Sequence, residues 1–488
     1  MANRLKLVIL TSVPAHRVQR MMTRIQREAP EVQVVGVLFA PYLPKTLRKR
    51  VETWRKKMKR LAYWRYVLQR ITNSIGRVLR APLSGLLRFM HAAPRWPNGR
   101  PGDGLAGLKA ACAATDVRLF VSRDIHSEPA LDFVRSLDSD LGLVFGTPIL
   151  KPALFSIPKQ GSINIHKRKV PDYRGGGPVG LWELLDNKNE IGVTVHLVEA
   201  KVDVGAVVCS AIIPIDPFDN LESLALKAVI VGSDLIVEAI RQFAKGTVVE
   251  APQVGPSKLF RKPKDEDLLQ MKKKLAGERP GYQNPFHQPV WKLFLKSFCY
   301  AVPITLRNWS RRWRGQASVI ILRHHLVSDR PHPLGISTVY FLRQINFLLR
   351  NYRVVSLGKA LELAREGGNK VPTVAITFDE GYAENFVNLR AVSEEAGIPI
   401  AYFISTEQIS TGREFPNDKL LNERGFLPNT WEQIEVLKGC GYEIGSLSGN
   451  QDDRFGAKFD IDVKQIPDRV DFPTTLWELE LRLQGLLT

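Results

Sequence analysis

The 488-residue sequence contains no CxxC pair, no GxGxxG run and no uninterrupted apolar stretch near the ~20 residues that span a bilayer. Each absence excludes something. Its four cysteines, Cys112, Cys209, Cys299 and Cys440, lie far apart, so neither a zinc site nor a disulfide framework is indicated. A reducing cytoplasm is the expected compartment. Thr11, Ser12 and Pro14 fill the turn after the first apolar run where a dinucleotide fold would place its glycines, which disfavours nicotinamide cofactors. Acidic residues are scarce beside basic ones, 49 against 69, and the formal net charge is +20. That balance favours nucleic acid, anionic lipid or a phosphorylated substrate as partner without choosing among them. Disorder is not expected, since 44% of the residues are hydrophobic and 24% charged. The length suggests roughly two to four domains.

Leu5 to Leu10 reads as a buried strand, about Val18 to Glu28 as a helix and Val32 to Phe39 as a second strand. From 41 to 104 the pattern changes to a basic segment bearing Trp and Tyr. Val51, Trp54, Met58 and Leu61 recur there at helical spacing among Arg and Lys. Such a helix suits an anionic membrane surface, or it covers its own domain with a solvated basic face. Beyond it, Leu105 to Ala114, Val117 to Val121, Ala130 to Leu137 and Leu141 to Phe145 alternate helix and strand, the pattern of a doubly wound, mostly parallel α/β sheet. Asn220 to Ala244 reads as one long helix.

The stretch from Gly161 to Gly177, GSINIHKRKVPDYRGGG, is the centre of this first half. Strand alternation puts Asn164 and His166 on one face and Ile163 and Ile165 on the other. An amide donor beside an imidazole at a strand's carboxyl end suits a carbonyl that becomes an oxyanion, although the same pair also fits a polar strand end capped by its loop. Lys167, Arg168 and Lys169 follow at once and are expected to border the site, favouring an anionic ligand.

SINIHKRKVPDYRGGGP followed by GVTVHLVEAKVDVGAVV resembles the folate-dependent formyltransferase family, over about residues 5–262 less the insertion. The resemblance implies transfer of a formyl group from 10-formyltetrahydrofolate to an amine, with Asn164, His166 and Asp203 catalytic. It implies that charged His166 and the Asn164 amide bind the developing oxyanion, that Asp203 accepts the amine's proton and that His196 supports them. Thr147, Pro148, Ile149 and Leu150 match the folate-contacting loop, and the backbone from Val202 to Val204 would close on the pterin. No metal is implied for this half. The expected acceptor is an anionic amine, that of an amino sugar, a nucleotide-linked sugar or a lipid head group. Met-tRNA is the alternative, disfavoured because relatives acting on it carry an additional small β-barrel.

Residues 263–317 read as a basic amphipathic linker. SVIILRHHLVSD, VPTVAITFDEGYAENF, GIPIAYFIST and FLPNTWEQIEVLKGCGYEIGSLS then resemble, in order, the polysaccharide deacetylase family, whose domain is a distorted β/α barrel. The resemblance implies a base at Asp379 and metal ligands at the positions of Glu380, Leu447 and Gln451, with His324 near the first strand. Leucine cannot ligate a metal, and 452–488 is short for the remaining barrel strands. An incomplete barrel without metal or deacetylase activity is therefore expected for 318–488. An inactive two-domain binding protein for carbohydrate or an inner-membrane surface is the competing class.

Overall fold

The computed structural model describes residues 4–41, 104–278 and 310–446. Nearly all of the basic insertion, together with Leu447 and Gln451, lies outside them. β1 (Leu5–Thr11) leads through the Ala15–Glu28 helix to β2 (Val32–Phe39), and the Leu105–Ala114 helix precedes β3 (Arg118–Val121). The Glu128–Arg135 helix, β4 (Leu141–Phe145), β5 (Ser162–His166), β6 (Arg174–Gly175), β7 (Glu190–Leu197) and β8 (Val207–Pro214) follow. Seven of these strands form one sheet in the order β3-β2-β1-β4-β5-β7-β8. Neighbours are parallel up to β5, and β7 and β8 join antiparallel. β1 alternates between two apolar layers. Leu7 and Ile9 pack with the Ala15–Glu28 and Leu221–Lys245 helices, while Val8 and Leu10 pack with Phe133 and Leu154. Burial on both faces is why β1 reads as a continuous apolar run.

Strand order reverses between β1 and β4, so a crevice opens beyond their carboxyl ends. The Thr11 hydroxyl donates to the Phe145 carbonyl at 2.7 Å and ties those two ends together. The Leu221–Lys245 helix starts at a capping box formed by Asn220 and Ser223 and stops at left-handed Gly246. After it the chain returns to the crevice as β9 (Leu259–Phe260), paired with β6. The stretch read as linker is not one throughout. Its first part is the Asp265–Glu278 helix, whose Leu268 and Met271, three residues apart, join the apolar cluster of Leu181, Leu184 and Leu224.

The second unit comprises β10 (Val319–His324), β11 (Leu326–Val327), β12 (Gly335–Ile336), β13 (Arg353–Val354), β14 (Thr373–Phe378), β15 (Ala401–Ile404) and β16 (Glu443–Ser446). Five of these strands make a parallel sheet in the order β10-β14-β15-β16 with β13 also on β14. The Thr338–Asn351 and Asn385–Ala396 helices pack on it.

The two units meet along the Leu221–Lys245 and Asn385–Ala396 helices. Buried Lys227 reaches Asp216 and Asp219 at 2.9 Å within its own unit and Asp329 of the second at 3.1 Å. Asp234 bridges Arg24 of the first unit and fully buried Arg390 of the second. Arg17 pairs with Glu395 at 2.7 Å.

Candidate active site

β5 and β7 run antiparallel with Asn164 directly opposite His196. His196 Nδ1 lies 2.7 Å from the Leu197 carbonyl, which can only accept, so that nitrogen carries the proton. Nε2 is then the acceptor, and the Asn164 amide donates to it at 3.3 Å. One N–H of that amide is thereby fixed and the second is left for a ligand. On the same strand face, His166 Nε2 donates to the Tyr173 carbonyl at 2.8 Å, and its Nδ1 faces Asp203 Oδ2 at 3.5 Å. Asp203 also lies 3.5 Å from His196 Nε2 and accepts from the Gly175 N–H at 2.9 Å. Asn164, His166, His196 and Asp203 thus form one constellation.

Electrostatics correct one expectation here. Burial pushes the His166 pKa down, and the opposing pull of Asp203 and of the Tyr173 carbonyl does not restore it. Burial thus favours the neutral imidazole over the charged form that the resemblance implies. Burial would raise the Asp203 pKa, but the neighbouring His196 and His166 imidazoles and the Gly175 N–H hold it below the usual carboxylate range. Asp203 sits in the left-handed region at φ 53°, which aims its carboxylate back at the two imidazoles.

Asn164, His166 and Asp203 line a cavity of about 600 Å³, with His196 buried behind Asn164. Thr147, Ile149 and Val202 line it as well. Pro148 and Val204 do not, and Leu150 turns away into the apolar layer with Leu154 and Phe155. The cationic loop behaves differently from expectation too. Arg168 is buried and donates to the Pro178 carbonyl at 2.6 Å, while Lys169 is exposed beside Asp172 and outside the cavity. Half-buried Lys167 and buried Arg168 line the cavity as expected and Lys169 does not, because residues 167 to 169 leave the strand and no longer share a face. Sequence reasoning missed Arg17, Arg261 and Lys262, which also line the cavity. Of its lining residues, five are cations and Asp203 is the one carboxylate.

β9 closes one side, with Phe260 stacked between Tyr173 and Trp182 at centroid distances of 5.4 and 4.9 Å. Gly175 is required beneath it. Its φ is +88°, and an added Cβ would come within 2.2 Å of the Phe260 carbonyl oxygen. Gly175→Ala is expected to detach β9 and the N–H held by Asp203, destabilising the fold by about 1–3 kcal/mol. Denaturant titration would measure the loss, and Trp182 emission would change as Phe260 leaves it.

In the second unit, Asp379 and Glu380 lie just beyond the carboxyl end of β14. Arg323 pairs with Asp379 at 2.8 Å, His325 with Glu380 at 2.7 Å, and the Asn417 amide donates to Glu380 at 2.9 Å. The histidine that reaches the carboxylates is therefore His325. His324, the expected one, is half-buried with its ring against Phe341 and Phe378 in the apolar layer, where desolvation lowers its pKa to about 4. Carboxylates engaged by a guanidinium and an imidazole do not fit a divalent metal. Among the described residues, no group of three or more His, Cys, Asp or Glu could hold a metal ion, and no helix is long and apolar enough to cross a membrane.

A doubly wound sheet with an Asn, two His and an Asp converging at strand ends defines the first unit as an α/β domain with a polar cluster at its crevice. Residues 109–240 match the formyl transferase family. A methionyl-tRNA formyltransferase of Chlorobium chlorochromatii is 29% identical over 146 residues, 30% of this chain and 46% of that protein. Another from Thermodesulfovibrio yellowstonii is 34% identical, covering 25% of this chain and 40% of that one. The chain spans less than half the length of these curated relatives. Among solved structures, an N-formyltransferase from Helicobacter canadensis, in complex with folinic acid and dTDP-3-aminofucose, is 16% identical with a TM-score of 0.32, covering 54% of this chain and 72% of that one.

Proposed function

We propose that the first unit transfers a formyl group from 10-formyltetrahydrofolate to the amine of an amino sugar bearing phosphate. The observation that carries this reading is the convergence of Asn164, His166 and Asp203, backed by His196, on a cavity whose other charged lining residues are cations. The cavity has the volume of a small-molecule site, and Val13, Phe145, Ile149 and Val202 give it apolar wall for a flat donor ring. The donor supplies the formyl carbon. The free N–H of Asn164, oriented by His196, donates to the formyl oxygen as negative charge gathers there. Ionised Asp203 accepts a hydrogen bond from the incoming amine. As the new C–N bond forms, the amine's proton passes to His166, and as the tetrahedral centre collapses and the donor's C–N bond breaks, His166 returns that proton to the departing donor nitrogen.

Arg17, Lys167, Arg261 and Lys262 suit a phosphate or pyrophosphate on the acceptor. The names of the matched relatives favour Met-tRNA as the second reading. We place the reaction in a reducing cytoplasm, where the free thiols of Cys112, Cys209 and Cys440 persist, with contact at an anionic membrane surface as an extension. The second unit is proposed as a deacetylase-like fold without hydrolytic activity, since its two carboxylates are already paired.

The test is incubation with 10-formyltetrahydrofolate and a panel of amino-sugar nucleotides, with Met-tRNA as a separate arm, following tetrahydrofolate release and N-formyl product. Product from a nucleotide-linked amino sugar supports the proposal. Product from Met-tRNA alone selects the second reading, and release of no tetrahydrofolate in any arm counts against both.

A further inference from the structure

Three charged groups from three separate elements meet where the cavity wall touches the second unit. Arg17 lies in the first turn of the Ala15–Glu28 helix, Lys167 just past β5, and Glu395 at the end of the Asn385–Ala396 helix. Arg17 and Lys167 both line the cavity. Glu395 holds the Arg17 guanidinium at 2.7 Å, and the Arg20 guanidinium caps the same helix end through the carbonyls of Glu394 and Glu395. Among the described residues, Lys167 makes no hydrogen bond or ion pair of its own, so its charge is available to whatever enters. We propose that Glu395 of the second unit is a positioning residue for the cavity of the first, pinning Arg17 beside Lys167 and so setting the charge that an anionic ligand meets.

The surroundings of Lys167 support this assignment. Its pKa is brought down to about 8, chiefly by burial and then by Arg17, with Glu395 opposing them. The Leu221–Lys245 helix contributes Val229, Ser233 and Ile236 to the same cavity, all uncharged, while its Asp234 is engaged by Arg24 and Arg390. On the strand side stand neutral His166 and Arg168, the latter committed to the Pro178 carbonyl. A carboxylate of the second unit is thus the counter-charge nearest this lysine. The second unit gains a role in the first unit's chemistry that needs no activity of its own.

The consequence for an anionic ligand rests on the formyl-transfer reading, yet the geometry can be tested without any acceptor. In the full chain, the pH dependence of Lys167 acylation by an amine reagent, read by peptide mass spectrometry, gives its midpoint. Glu395→Gln removes the charge that raises the midpoint and is expected to lower it by about one unit. Arg17→Gln removes a charge that lowers it and is expected to raise it. Wild-type affinity for inorganic pyrophosphate should fall as pH rises through about 8, and in Glu395→Gln that fall should begin earlier, tracking the labelling midpoint. Melting temperatures of both variants control for folding, since the Lys227 and Asp234 networks remain. Unmoved midpoints, or a drop in melting temperature without a midpoint shift, would overturn the proposal. So would pyrophosphate binding that is flat across this pH range. Failure of formyl transfer in every acceptor arm would count against the catalytic reading while leaving these midpoints as they are.

Discussion

Replacing Asn164 by alanine is expected to lower the rate of formyl transfer about 100- to 1,000-fold, the usual loss when one preorganised oxyanion donor is removed. The size follows from the geometry. The amide is held from behind by His196 Nε2, which has no second proton to offer, so nothing else in the constellation can donate to the formyl oxygen in its place. Water could enter the vacated space, but it would have to reorient during the reaction, whereas the amide is already aimed. Asn164 is only half-buried, and its loss leaves a single neutral acceptor on His196, so folding stability should change by no more than about 1 kcal/mol. Single-turnover rates and denaturant titration on the same preparation separate the two effects. An unchanged rate would remove Asn164 from the chemistry, and a large stability loss would show that it serves the fold.

Replacing Lys227 by methionine is expected to destabilise the protein by about 3–5 kcal/mol at neutral pH, because it strands buried carboxylates without their cation. Lys227, Asp219 and Asp329 are almost wholly shielded from solvent, and Asp216 is partly so. The pH dependence has a definite sign. Burial raises the folded-state pKa of Asp219 to about 6 even with Lys227 present, Lys227 pulling it down and Asp329 pushing it up. A carboxyl with a raised folded pKa contributes stability below its unfolded value near 3.8 and loses that contribution as pH climbs through about 6. Removing Lys227 takes away the attraction that limits this rise. The variant's deficit should therefore be largest above about pH 7 and shrink as the medium is acidified toward about 4. Urea unfolding across that range would show it, and a deficit independent of pH would mean that packing, not charge, is what methionine disturbs. Since Asp329 belongs to the second unit, loosening of the two units should precede global unfolding, visible as early hydrogen exchange in the Asn385–Ala396 helix.

The parts of this molecule that local pattern dictates were legible without coordinates. β1, β2 and β4 are apolar runs bounded by turn residues, and the strand alternation that aligns Asn164 with His166 needs nothing beyond period two. Alternation stops being informative where a strand ends. Lys167, Arg168 and Lys169 look equivalent in sequence, yet the loop sends the second into the fold and the third into solvent. In the Arg323–His324–His325 run, the last residue of β10 faces the apolar layer and its neighbour reaches the carboxylate, a choice set by where the strand stops. Leu150 is apolar like Ile149 beside it, but one is 8% exposed and the other 75%. Long-range charge pairing left no local trace at all. Arg17 and Glu395 stand 378 positions apart, and neither sits in a motif.

The opposition of Asn164 and His196 across antiparallel strands has a bearing on which sequence changes the first unit can absorb. Their pairing is a matter of ladder counting, so deleting or inserting a single residue in β7 ahead of His196 would bring Val195 or Leu197 opposite the amide and turn the imidazole toward the other layer. The β7–β8 pairing shifts register between Val195 and His196, which places an irregularity at the very step where the count matters. Length variation should therefore be forbidden between Glu190 and Asp203 and tolerated beyond β8. A library of one-residue insertions scanned along this hairpin would show a sharp boundary between silent and inactive members, drawn by register and not by the identity of the inserted side chain.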